Sequence, residues 1–142
     1  MLVKDLMTPG AVTVEPGSSV ALAAKLISRH NVGLLPVCSP DKRLRGVVTD
    51  RDIVLRCVAA EEDPAQTPVR DIMTRGCATL SPGDDCAEAS RRMAAQQVRR
   101  LPVVEGGKVV GMLSLADLAR SRRYDMEAAQ ALGEITENVV KR

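Results

Sequence analysis

The chain has 142 residues, enough to bury a core in one domain or two small ones, and its net charge of +2 is too weak to argue for nucleic acid or an anionic membrane as partner. It has no Phe or Trp, and Tyr124 is its single aromatic. The stacking platforms that usually hold single-stranded nucleic acid are therefore missing, and any base must sit between aliphatic side chains and backbone.

The chain opens on MLVKDLMTPG, which lacks the charged and apolar regions of a signal peptide, and no apolar run approaches the roughly 18 residues of a membrane span. A cytoplasmic protein with no membrane partner is expected. The segment DLMT leads to a short predicted strand, AVTV, and then to the turn residues Pro16-Gly17. Ser18 is the expected cap of the next helix, where Val20, Ala23, Ala24 and Ile27 recur at the spacing of one buried face. Two strands follow, LLPVC and LRGVVT, joined by SPDK, and a second helix starts at DRDI.

After the polar, proline-bearing stretch EEDPAQTP the same order returns. Residues 3–38 align without gaps on residues 69–104 with 14 of 36 positions identical, so the chain carries an internal duplication. One extra residue in the first hairpin then brings GVVTDRDI at 46–53 onto GMLSLADL at 111–118. In the second copy Asp84 is the expected cap, Cys86, Ala89, Ser90 and Met93 form the buried face, and the adjacent glycines of EGG suit the positive φ angles of a hairpin turn. Each copy reads β-α-β-β-α, an α+β (mixed αβ) organisation, and two copies of about 55 residues should pack about a pseudo-twofold axis. The expected boundaries are 1–60 for the first copy, 61–68 for the linker and 69–123 for the second. Residues 124–142 form a C-terminal amphipathic helix with Ala128, Leu132, Ile135 and Val139 on one stripe, which either covers the chain's own core or, as preferred, meets a second subunit in a homodimer.

The four cysteines, Cys38, Cys57, Cys77 and Cys86, show no CxxC pair and no histidine at metal spacing, and two of them align with valines. They read as small buried residues, and His30 likewise as structural, with no metal site expected. Thr49 with Asp52 and Ser114 with Asp117 stand at the two strand-to-helix junctions, a spacing that fits a helix capping box. The same groups could instead serve a nucleotide, a hydroxyl and unpaired N–H groups for phosphate and an acid for the two ribose hydroxyls. No Ser-His-Asp or Cys-His constellation accompanies them, so neither enzymatic activity nor a catalytic cofactor is expected.

The ordered, duplicated set D-h-M-T, Pro-Gly, L-P-V and G-h-h-[TS]-x-x-D (h being apolar) resembles a tandem pair of cystathionine-β-synthase (CBS) domains, or Bateman module, over residues 1 to about 123. The resemblance implies a stand-alone regulatory module that binds adenosine-containing ligands, AMP, ADP, ATP or S-adenosylmethionine, in clefts between the two repeats and signals by conformational change to an unidentified regulated protein. It further implies one cleft of Thr49, Arg51, Asp52, Cys77, Ala78, Val98, Arg99 and Arg100, and another of Ala11, Val12, Val32, Gly33, Leu34, Ser114 and Asp117. Arg99-Arg100 in one copy against Gly33-Leu34 in the other marks the first cleft as the phosphate-bearing one, since arginine offers permanently charged donors to phosphate oxygens. The competing expectation is a dimeric protein–protein interaction module with degenerate clefts. Nucleic acid is disfavoured, because acidic residues interleave the clusters at Arg91-Arg92, Arg99-Arg100 and Arg120–Arg123.

Overall fold

The first D-h-M-T segment folds into one turn of helix, α1 (Val3–Leu6), and a two-residue strand, β1 (Thr8–Pro9). The computed structural model describes the backbone of residues 1–121 and 125–141 and the side chains of 1–121 and 129–137. The next helix, α2 (Val20–His30), is followed by the antiparallel hairpin β2 (Leu34–Cys38) and β3 (Leu44–Thr49), then by α3 (Asp50–Ile53). A π-helical segment, Val54–Val58, continues α3, and a single 3-10 turn, Val69–Asp71, carries the second D-h-M-T. The second copy supplies α4 (Cys86–Gln96), the strands β4 (Arg100–Glu105) and β5 (Lys108–Ser114), and α5 (Leu115–Ala119), and the chain closes with α6 (Asp125–Lys141).

The helices start one residue later than the expected caps. Ser19, not Ser18, accepts from the Leu22 N–H at 3.1 Å, and Asp85, not Asp84, accepts from the Ala87 N–H at 2.8 Å. The reason lies in the backbone, since Ser19 and Asp85 are the extended residues immediately before the first helical turn. Asp84 instead accepts from the Ser81 N–H and pairs with Arg92 at 3.1 Å. Both helices end on a residue in the left-handed region, Asn31 (φ 51°) and Gln97 (φ 58°).

The predicted strands AVTV and CATL are each reduced to one parallel bridge, Val14 to Val37 and Leu80 to Val103. Pro16 and Pro82 follow within two residues and remove the donor that a longer ladder would need. The extra residue of the first hairpin is absorbed by a bulge at Val37/Cys38 and by Lys42 at φ 69°.

Two compact units result, and they are not divided where the sequence copies are. The first comprises Met1–Gly10, Ala78–Gly106 and Val110–Arg142, the second Ala11–Cys77 and Gly107–Val109. In the first unit β1 pairs antiparallel with β5, Thr8 opposite Met112 and Pro9 opposite Gly111, giving the order β1-β5-β4. In the second, Thr74 takes the equivalent place on β3, exchanging hydrogen bonds with Val47 at 2.8 and 2.9 Å. Each D-h-M-T segment is thus built into the strands of the other copy.

Glycine permits this crossing. A Cβ on Gly46 would stand 2.5 Å from the Thr74 carbonyl oxygen, and one on Gly111 would stand 2.7 Å from that of Thr8, both inside any tolerable contact. The methionine of the crossing segment lies over the same glycine, Met73 over Gly46 and Met7 over Gly111.

The two cores follow. In the second unit Val14, Val20, Ala23, Leu35, Val37, Val48 and Cys57 pack with Val69, Ile72 and Met73 of the crossing segment. The core of the first contains Val3, Leu80, Cys86, Ala89, Met93, Leu101, Val103, Leu113 and Leu118, and is covered by α6 through Ala131 and Ile135. The buried stripe of α6 is therefore displaced from the expected one, with Leu132 41% exposed. Ile135 is buried as expected, and the face it shares with Ala131, one i, i+4 step away, is the one that meets the core. The side chains of Ala128 and Val139, and Arg122, Arg123 and Tyr124, lie outside the described residues. No helix of the described residues is long and apolar enough to cross a membrane.

Candidate functional site

Strand β3 ends at Thr49 and β5 at Ser114, and each hydroxyl turns the chain into a helix by a reciprocal capping box. Thr49 Oγ1 accepts from the Asp52 N–H at 3.0 Å while Asp52 Oδ2 accepts from the Thr49 N–H at 3.1 Å. Ser114 and Asp117 repeat the exchange at 3.2 and 2.9 Å. The capping chemistry is real at both junctions, and each hydroxyl keeps its own proton free to donate elsewhere.

The acids differ in what else holds them. Asp52 is buried, and its carboxylate also accepts from the Thr74 hydroxyl at 3.1 and 3.2 Å and lies 3.7 Å from Arg56 Nη1. Arg56 is itself tied to the Ile72 and Met73 carbonyls at 3.1 Å, so the acid anchors the crossing segment as well as the helix start. Asp117, equally buried, pairs instead with Arg120. Thr74 has no part in the reading of the sequence, although its motif position, repeated as Thr8, was the available signal.

The residues expected in the two clefts distribute over both units. Thr49, Arg51, Asp52 and Cys77 belong to the second unit and Ala78, Val98, Arg99 and Arg100 to the first; of the other set, Ala11, Val12, Val32, Gly33 and Leu34 belong to the second unit and Ser114 and Asp117 to the first. Arg51, Arg99 and Val12 are exposed, Leu34 is buried, and Ala11, Val32, Gly33, Thr49, Cys77, Ala78, Val98, Arg100 and Ser114 are half-buried.

Within the first unit the structure brings Arg99 and Arg100 together with Ser114, a residue of the other expected set. They line a cavity of about 500 Å³ with Leu115, Ala116 and Ala119 of α5 and Ala129 and Leu132 of α6. The Leu115 N–H donates to the Arg99 carbonyl at 2.8 Å, which fixes the arginine pair beside the helix start. Neither guanidinium has a hydrogen-bond or ion-pair partner among the described residues. The cavity therefore combines an aliphatic lining with two cations that no described residue neutralises, a setting for a small organic anion. Sequence reasoning named these polar residues but in two separate sets, and did not name the aliphatic ones, which carry no motif.

The corresponding place in the second unit is electrostatically different. There the Asp50 N–H donates to the Gly33 carbonyl at 3.1 Å, and the Asp50 carboxylate lies 3.4 Å from where a Gly33 Cβ would be. An acid and a glycine thus stand where the first unit has Leu115 and Arg99. The two junctions share a scaffold and differ in charge.

Three of the cysteines are packing residues, Cys57 in one core, Cys86 in the other and Cys38 at 3% exposure, whereas Cys77, expected buried as well, is half-buried. Burial pushes the Cys38 thiol up to about 11 and raises those of Cys77 and Cys86 as well.

A family model described as CBS domain matches the chain twice, at residues 3–58 and 69–124. The CBS domain-containing protein YhcV of Bacillus subtilis is 40% identical over 134 residues, covering 94% of each chain. Among solved structures, the CBS domain protein PAE2072 from Pyrobaculum aerophilum, complexed with AMP, is 28% identical with a TM-score of 0.79, covering 92% of this chain and 99% of that one. The CBS domain pair of protein MJ0100, in complex with 5′-methylthioadenosine and S-adenosyl-L-methionine, is 27% identical with a TM-score of 0.74, covering 84% and 94%.

Proposed function

Since this chain belongs to the CBS domain family and carries two copies of the domain, we propose that it is a regulatory module for an adenosine-containing ligand, AMP, ADP, ATP or S-adenosylmethionine, and signals by a change of conformation. The observation that carries this reading is the cavity of the first unit, where Arg99 and Arg100, without a partner among the described residues, stand beside an aliphatic wall. A base without aromatic partners packs on Leu115, Ala119 and Leu132, and the arginines take the phosphates. Ser114 and Asp117 here, and Thr49 and Asp52 in the second unit, are the hydroxyl and carboxylate handles for phosphate and ribose. AMP and S-adenosylmethionine in the solved relatives support this ligand class. Asp50 in the second unit favours a less charged adenosyl group there.

A thermal-shift screen with ATP, ADP, AMP and S-adenosylmethionine tests the proposal. A ligand at 100 times its Kd adds about 2.7 kcal/mol, which raises Tm by about 5–10 °C in a chain of this size. The absence of any shift at millimolar concentration removes the reading. It would leave the second one, a dimeric protein–protein interaction module, which draws on the exposed Val54, Leu55 and Val58 of the π-helical segment.

A further inference from the structure

We propose that helix α6 is a wall of the ligand site in the first unit, so that occupancy of the site and docking of α6 form one equilibrium and the helix passes the binding signal on. This rests on the ligand-binding reading above and adds its regulatory element. Of the eight residues lining the cavity, Ala129 and Leu132 come from α6, while Ser114, Leu115, Ala116 and Ala119 come from the junction and α5. Ala116, Ala119 and Ala129 line the cavity with small side chains. Leu132, 41% exposed, has an apolar side chain that a ligand would cover.

The helix divides its described side chains between core and cavity. Among its described side chains Ala131 and Ile135 are buried in the core of the first unit, while Ala129 and Leu132 stay exposed on the cavity side. A ligand that touches Ala129 and Leu132 interacts with α6 only when the helix is docked, and must therefore favour that state; reciprocally, an α6 that disfavours the ligand must weaken binding by the same factor. The cations in the lining and its aliphatic residues specify an occupant with an anionic end and an apolar body, for which ATP and AMP are the probes.

The experiment titrates ATP and AMP into the full chain, into Ala129→Glu and into Thr136→Glu, and follows amide hydrogen exchange of α6 with and without nucleotide. Both positions are exposed and both variants change the net charge equally, but only residue 129 lines the cavity. Ala129→Glu is expected to raise Kd about tenfold or more while Thr136→Glu changes it less than about twofold, and nucleotide is expected to slow α6 exchange in the wild type. Equal affinity of Ala129→Glu and wild type, or α6 exchange unchanged at saturation, overturns the inference and leaves the ligand-binding reading standing. Failure of the wild type to bind either nucleotide overturns both.

Discussion

Asp52 and Thr74 show how much a single buried carboxylate can organise. The acid closes the capping box with Thr49 and then accepts from Thr74, a residue 22 positions away, so one side chain ties a helix start to the crossing segment. A hydrogen bond to a charged, part-buried acceptor contributes more than an exposed one, and Thr74→Val is expected to cost about 1–2 kcal/mol in urea unfolding. Thr8→Val, at the equivalent but exposed position, should change stability by less than about 0.5 kcal/mol. Cys38 gives a pH dependence of definite sign. Its folded thiol is raised to about 11, above the roughly 8.5 of an unfolded cysteine, so the stability it contributes is present below that lower value and is lost as pH rises through the upper one. Cys38→Val, the residue found at aligned position 104, should flatten the fall in stability seen between those pH values by chemical denaturation.

At the scale of elements, the crossing segments decide the fold. Gly46 and Gly111 let a neighbouring backbone approach to a distance that any side chain would block, and the methionine over each glycine completes the contact. Gly46→Ala must push aside a carbonyl oxygen 2.5 Å away, and Gly111→Ala one at 2.7 Å. Each is expected to destabilise by about 2–3 kcal/mol, read from the urea midpoint, because backbone cannot yield as a flexible side chain does. An alanine at either position that leaves the midpoint unchanged would show that the segment does not lie across the strand. The repeat, both helical faces and the hairpins were legible in the sequence because spacing and turn residues encode them locally. The exchange of D-h-M-T segments was not, since no local pattern says which of two similar strands a segment will pair with. The short strands failed for a related reason, because a lone bridge leaves no alternation to read.

For the molecule as a whole, duplication followed by charge divergence is the main theme. The first unit presents Arg99 and Arg100 to its cavity, and the second presents Gly33 beside Asp50. On the proposed reading Arg99→Ala and Arg100→Ala each remove a charge-assisted contact to phosphate and the double variant removes both, so ATP affinity is expected to fall about tenfold for each and further for both. Isothermal titration distinguishes this from a passive surface pair, for which affinity would not change. Their charge is permanent, so the same loss should persist across neutral pH.

By itself the sequence determined the duplication, the mixed αβ organisation of each copy and the family, since all of these reside in local order and spacing. Only the tertiary structure decided which segment pairs with which strand, that Thr74 completes the Asp52 cluster, and that Arg99, Arg100 and Ser114 share a cavity walled by α6. Those facts depend on contacts between residues far apart in the chain, where any apolar face can cover any other until packing and the close approach of backbones select one arrangement.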